Sequence, residues 1–240
     1  MAILDDESAK RYRFAGIASA SLAAVTVVTF GFALTAVPIS GANCPSNCID
    51  YPYLDTLDRF PRDYIWMFFA IVMLVTYVVF VAALRSTTPD SNPFSGTAAV
   101  VMASLVAAVL VPTYFVQATV VPSSLAAGQT EGISLLTQYN PHGLFIAAEE
   151  IGYLLMSVSF LFLVPLIQWT GVMPRFVRWT FATGFAVPLV AFVAVVAVYG
   201  FARQDRFEVI IISINWLVLI INSVLLTLIF RRLTATDTRT

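Results

Sequence analysis

The chain has 240 residues, of which 59% are hydrophobic and only 11% are charged, and its formal net charge is -1. Soluble domains carry roughly 25% charged residues, so this composition excludes an ordinary soluble domain and indicates that the protein is solvated by lipid. The balanced charge provides no basic field and excludes a nucleic-acid partner. With two cysteines and one histidine, the chain cannot build a disulfide scaffold or a structural zinc site of the Cys/His type.

Six apolar stretches are each long enough to cross a bilayer core, which takes about 20 helical residues. We predict transmembrane helices at about residues 14–39, 64–84, 97–121, 144–167, 177–200 and 209–230. The first stretch follows a basic segment but exceeds the ~7–15-residue apolar region of a secretory signal, so we predict a retained helix. Period-2 alternation is absent, which argues against a β-barrel. The sequence therefore predicts an all-α integral membrane protein, residues 1–240 forming a single six-helix transmembrane bundle.

The distribution of basic residues predicts the orientation of this bundle, because cytoplasmic loops are enriched in Lys and Arg. With a cytoplasmic N-terminus, the outer segments contain only Arg59, Arg62, Arg203 and Arg206. The inner segments then contain all the others, namely Lys10, Arg11, Arg13, Arg85, Arg175, Arg178, Arg231, Arg232 and Arg239. We therefore expect both termini on the inner side, in the plasma membrane of a bacterium.

The first outer loop contains Cys44 and Cys48 in the sequence NCPSNC. A bridge between them is sterically feasible, and the outer compartment favours oxidation. We predict a disulfide that staples this loop. A redox-active pair is a weaker alternative, because such pairs have two intervening residues and this pair has three. Free thiols or a metal site are the remaining alternatives.

The fourth predicted helix, which opens at Asn140-Pro141, contains the polar residues that are hardest to explain in lipid. At 100° per residue, one face about 100° wide collects His142, Glu149, Glu150, Tyr153 and Ser157. Placing a charged acid in hydrocarbon costs about 2.5–3.5 kcal/mol on the scale that gives the lowest values. The sequence has no intramembrane Lys or Arg that could pair with the two acids. We therefore expect this face to point into the bundle.

Polar residues on two other predicted helices match this face in depth. Gln117 and Tyr114 lie near the outer end of the third helix, and Asn215 lies near the outer end of the sixth. We expect Gln117 and Asn215 to meet Glu149 and Glu150 at one level of the outer half of the membrane, and Tyr114 to lie about one turn below Gln117. Protonation of an acid, a bound cation or an outward-open aqueous cavity would each accommodate the two carboxyl groups.

The leading hypothesis is a small transporter, permease-like protein or sensor with an outward-facing polar pocket. Its ligand-binding or proton-binding residues would be His142, Glu149, Glu150, Tyr153, Gln117, Tyr114 and Asn215. We expect the lipid bilayer and a small molecule, proton or cation as partners, and no cofactor. A structural or accessory subunit is the alternative, in which the acids are neutral groups that hold helices together. An intramembrane enzyme using Glu149 and Glu150 as acid and base is disfavoured, because adjacent helical positions point about 100° apart.

Known intramembrane enzyme motifs do not match the sequence. The CAAX-processing metalloprotease-like family has a Glu-Glu pair followed by Arg in an EExxxR motif and by further histidine motifs. Here the residue at the Arg position is Leu154, and no second histidine exists. A rhomboid serine motif is also missing, and the only lysine, Lys10, excludes a retinal protein with its lysine in the last helix.

Overall fold

The computed structural model describes residues 6–88 and 92–237, and all regular secondary structure within these ranges is helical. Seven α-helices follow one another along the chain: α1 (Asp6–Ala33), α2 (Ile65–Ser86), α3 (Pro93–Ala126), α4 (Ile133–Leu136), α5 (Leu144–Leu163), α6 (Val172–Tyr199) and α7 (Arg206–Asp237). Short 3-10 segments add Leu57–Arg59, Arg62–Tyr64, Val164–Leu166 and Gly200–Arg203. Arg239, which we assigned to the inner side, lies outside the described residues.

Six of these helices, all except the short α4, are long and apolar enough to cross a membrane. Their outward faces remain apolar along much of their length, as at Val190, Val193 and Val198 on α6. Such a surface is stable in hydrocarbon, where a helix satisfies its own backbone hydrogen bonds. The prediction of an all-helical fold with six membrane-length apolar helices is therefore confirmed for the described part of the chain.

The six long helices form a ring in which contacts run from α1 to α2, α3, α5, α6 and α7 and back to α1. Helices α5 and α7 also touch each other across the ring. The approach of α3 to α5 depends on Gly152, because a Cβ atom there would lie 2.4 Å from Leu110 Cδ2. A small residue at this crossing lets the two helices pack closely, as in many membrane bundles.

Three loops meet at one end of the bundle, which we call the disulfide end because it contains the bonded pair Cys44 and Cys48. These loops are residues 34–64, the segment 127–143 with α4, and residues 200–205. Ser40 Oγ donates a hydrogen bond to the Tyr139 carbonyl, and Ala42 N–H donates to Asp205 Oδ1 at 2.8 Å. The loops therefore hold one another over the ends of the helices.

Two helix boundaries differ from the prediction in ways that matter for the site. Helix α1 ends at Ala33 rather than at residue 39, and turn residues lead from it to Pro38, which disfavours helical geometry in Val37. Helix α7 begins at Arg206 rather than at residue 209, which brings Glu208 into its first turn. The residues freed from α1 and gained by α7 both border a cavity at the disulfide end.

Candidate functional site

A cavity of about 360 Å³ lies at the disulfide end between α1, α2, α5 and α7. Hydrocarbon and aromatic side chains make up most of its wall. Its acidic residues are Asp63, Asp205 and Glu208, and no Lys, Arg or His occurs among the described residues that border it. The cavity is therefore an apolar space with a negatively charged edge.

Asp63, at the start of α2, is neutralised by its neighbours. Arg62 donates to its carboxylate through Nε at 2.7 Å, and the Tyr139 hydroxyl donates to Oδ2 at 3.4 Å. Burial, with the nearby Asp63 adding to it, raises the pKa of the Tyr139 phenol, so Tyr139 remains a neutral donor. The negative charge of Asp63 at the cavity wall is thus balanced by Arg62.

Asp205, just before α7, is compensated by the first loop. Its carboxylate accepts hydrogen bonds from Ala42 N–H at 2.8 Å and from Asn43 Nδ2 at 3.0 Å. The loop approaches so closely that a Cβ on Gly41 would lie 2.6 Å from Asp205 Oδ1. Gly41 also has φ +72°, a conformation that glycine adopts without strain. This contact fixes the rim of the cavity.

Glu208 lies in the first turn of α7 and is partly exposed to the cavity. Its carboxyl group interacts directly with that of Glu149 on α5. No basic side chain forms an ion pair with Glu208 in residues 6–88 and 92–237. Asp205 also has no basic partner there, but the first loop donates two hydrogen bonds to it. Glu208 instead faces a second acid.

Glu149 is completely buried behind Glu208. Its Oε1 accepts a 2.7 Å hydrogen bond from the Tyr114 hydroxyl on α3. Its Oε2 has no hydrogen-bond donor in the described structure, and the Glu208 carboxyl is the acidic group that faces this residue. A buried carboxyl oxygen without a donor is costly, so the pair needs a proton or a cation between its members.

A chain of hydrogen bonds with a single direction ends at Glu149. Trp216 Nε1 donates to the Tyr153 hydroxyl at 3.0 Å, and the two tyrosine hydroxyls are 2.9 Å apart. Because the Tyr114 proton is used on Glu149, Tyr153 must supply the proton between the two tyrosines. This chain of hydrogen bonds uses residues of α3, α5 and α7 and fixes a donor on one oxygen of Glu149. Glu208 remains as the neighbour of Glu149 that can exchange a proton.

Aromatic rings cover the inner end of the cavity. The rings of Trp66 and Trp216 are 6.0 Å apart, and Phe30 is 5.7 Å from Trp216. Phe145 lies beside Tyr114 at 6.0 Å and also borders the space. These rings therefore contribute an aromatic surface to the same cavity that Glu208 borders.

Glu150 does not join Glu149, contrary to our expectation that the two would meet at one level. It faces another hollow of about 230 Å³ with His142, where the Arg203 guanidinium forms an ion pair with it. From the sequence we considered only intramembrane Lys and Arg as partners of these acids and so missed Arg203, which follows α6 and pairs with Glu150. Adjacent helical residues point about 100° apart, which separates the two carboxyl groups.

His142 lies before α5, whose first helical residue is Leu144 after an N-cap at Gly143. The predicted helix start at Asn140-Pro141 was wrong, because the Asn140 side chain accepts the His142 N–H at 2.9 Å and forms a turn instead. The imidazole is exposed beside the Glu150 hollow and apart from the larger cavity.

Gln117 and Asn215 are buried but contact neither acid. Gln117 Oε1 accepts the Gln138 N–H at 3.1 Å and so anchors the second loop to α3. Asn215 Nδ2 donates to Ser157 Oγ at 3.2 Å and to the Ile211 carbonyl at 2.9 Å. Of the residues singled out from the sequence, the structure thus joins Glu149, Tyr114 and Tyr153 in one network.

Glu208 is the main residue that the sequence analysis missed. Asp205 and Glu208 have the Asp-x-x-Glu spacing that marks a helix start just before an apolar run. That signal would have placed Glu208 in the first turn of the last helix. Its contact with Glu149, however, depends on how α7 is rotated against α5.

The fold and the cavity define an all-helical protein with six membrane-length apolar helices and an acidic, aromatic-lined site at one end. No group of three or more His, Cys, Asp or Glu side chains arranged to hold a metal ion occurs in the described ranges. Comparisons with protein-family models, curated proteins and solved structures find no match for this chain.

Proposed function

We propose that this protein is a small transporter or sensor of a bacterial plasma membrane, with both termini in the cytoplasm. The cavity at the disulfide end opens to the outside and receives a small ligand. The carboxyl pair of Glu149 and Glu208 takes up or releases a proton as the cavity fills and empties. The observation that carries this proposal is the contact between a buried, incompletely bonded Glu149 and a Glu208 that borders the cavity.

The physical basis is the repulsion between two carboxylates in a poorly hydrated place. Two like charges in contact cannot both ionise at small cost, so an empty pair holds a proton. Tyr114 occupies one oxygen of Glu149 and fixes its position. Whatever reaches Glu208 from the cavity therefore changes the free energy of that proton, which links ligand and protonation.

The arrangement of Glu150 supports a role other than catalysis. An acid–base enzyme would need Glu150 free beside Glu149, whereas Glu150 is bound by Arg203 in another hollow. A structural subunit would seal the pair from water, and its proton would not exchange. The two roles therefore differ in whether the pair titrates.

Infrared difference spectroscopy of the reconstituted protein tests this point through the carbonyl band of protonated carboxyl groups. We expect that band to disappear from the wild type as the pH rises within the range of the folded state. The double variant Glu149→Gln with Glu208→Gln should lack the change. The exposed Asp55, which lies at the same end outside the cavity wall, provides the control Asp55→Asn, which should keep it. An identical band change in the double variant would overturn the proposal.

A further inference from the structure

We propose that the ligand of this cavity is a small organic cation, an amine or quaternary ammonium compound with an apolar body. This inference rests on the proposed function of the same cavity and adds the chemical class of its ligand. Three independent properties of the wall carry it: its charge, its aromatic surface and its shortage of metal ligands.

The charge of the wall selects a cation. Asp63 and Asp205 are already bound to Arg62, Ala42 and Asn43, so their charges are largely compensated. Glu208 has only acids as its charged neighbours, Glu149 first and then Asp205 and Glu150, and it forms no ion pair with a basic side chain in the described residues. A positive group beside Glu208 removes the repulsion in this pair, whereas an anion would add a third negative charge.

The aromatic rings favour an organic cation over a hydrated metal ion. Trp66, Trp216 and Phe30 form a continuous surface next to the acidic edge, with centroid distances of 5.7 and 6.0 Å. A cation within about 6 Å of such a ring is attracted by its quadrupole, and alkylammonium groups are recognised in this way. A hard metal ion needs several oxygen ligands, and the described residues offer no cluster of three or more acidic, histidine or cysteine side chains.

The hydrocarbon part of the wall accommodates the body of the ligand. Val37, Pro38, Ile146 and Ile212 also border the space. Its volume of about 360 Å³ lies within the ~300–1,000 Å³ range of small-molecule sites. The cavity therefore fits a compound with one charged end and one apolar end.

The proton balance follows from the same contacts. When the cation binds beside Glu208, the proton shared with Glu149 leaves for the outer aqueous phase, and one positive charge replaces another. The charged or titratable groups facing the pair are Tyr114 on α3, Tyr153 and Glu150 on α5, and Asp205 before α7. The hydroxyl protons of Tyr114 and Tyr153 are already used in the hydrogen bonds that lead to Glu149, and Glu150 is held by Arg203. The exchange therefore involves about one proton for each cation.

Binding can be followed through the two tryptophans of the cavity. The other two, Trp169 and Trp179, are removed by Trp169→Phe and Trp179→Phe in the full chain. The probes are choline, tetraethylammonium and benzyltrimethylammonium, each paired with its uncharged isostere in which carbon replaces nitrogen. We expect at least one cation to change the fluorescence at millimolar concentration or below, and its isostere to bind roughly tenfold more weakly or worse. Proton release in weakly buffered solution should accompany the fluorescence change.

Variants of Glu208 distinguish the effect of its charge on binding from an effect on folding. Glu208→Gln should weaken cation binding roughly tenfold or more and abolish proton release. Glu208→Asp keeps the charge and should keep the preference for the cation, and Asp55→Asn should behave as the wild type. These comparisons remain decisive if Glu208→Gln folds poorly.

The possible failures are distinguishable. If the isosteres bind as tightly as the cations, or if no cation binds while a co-purified phospholipid fills the cavity, the ligand class is wrong. The infrared band of Glu149 and Glu208 would still titrate, so the proposed function would stand. If that band does not titrate either, both proposals fail together.

Discussion

The Tyr114 hydroxyl of α3 donates a 2.7 Å hydrogen bond to Glu149 of α5, with both side chains completely buried. This bond joins two helices whose backbones approach closely one turn further along, at Gly152. The carboxyl group is thereby held at a fixed place beside Glu208 of α7. The behaviour of the site should depend on this bond.

We expect Tyr114→Phe to lower the free energy of unfolding by about 1–3 kcal/mol, because Glu149 would lose its donor in a place that water does not reach. Reversible denaturation in detergent micelles measures the loss. Tyr12→Phe serves as the control, since the Tyr12 hydroxyl makes no hydrogen bond within the described chain and its ring only packs on Trp169 and Phe230. Equal stability of the two variants would show that Tyr114 acts through its ring alone.

The ion pair of Glu150 and Arg203 should contribute more than an exposed pair. Glu150 is only 5% exposed, so Arg203→Gln leaves an almost buried charge without its partner. A double-mutant cycle with Glu150→Gln should give a coupling of about 1–3 kcal/mol. The matched control is the exposed pair Asp6 and Lys10, for which we expect a much smaller coupling because water screens both charges. Similar couplings in both cycles would contradict the packing of the loop after α6 against α5.

The contact of α3 with α5 should not tolerate a methyl group at Gly152. Gly152→Ala would place a Cβ 2.4 Å from Leu110 Cδ2, so we expect a loss of about 1–3 kcal/mol in unfolding free energy. Gly31→Ala, where no other atom lies within 4 Å, should be neutral or slightly stabilising. Adding Leu110→Ala to Gly152→Ala should recover part of the loss, and failure to recover any would show that the clash is not with Leu110.

The proposed orientation can be measured by cysteine labelling of intact cells. In a background of Cys44→Ser and Cys48→Ser, Asp55→Cys lies in an exposed part of the disulfide end, and Ser86→Cys lies exposed at the opposite end. A membrane-impermeant maleimide added outside should label the first variant and not the second. Permeabilised cells should show labelling of both. The reverse pattern would place the cavity on the cytoplasmic side.

The candidate site shows which contacts the sequence pattern predicts and which contacts it does not. Glu149 and Tyr153 share a helix face, so their proximity follows from the helical repeat. Tyr114 was expected to line the same pocket, but about one turn below the level of the acids. The separation of Glu150 from Glu149 was foreseeable from the angle of about 100° between adjacent residues. The ion pair of Arg203 with Glu150 was not foreseeable, because the path of a short loop depends on the tertiary contacts that it makes.

Composition and apolar segment length determined that this chain forms six membrane-length helices, because the partition of hydrocarbon into lipid is a local property of each segment. Only the tertiary structure decided that Glu208 is the partner of Glu149 and that aromatic rings lie beside them. Lipid-facing and core-facing sides are both apolar here, so the pattern scarcely encodes how each helix is rotated. That rotation alone brings α5 and α7 together with their acids facing.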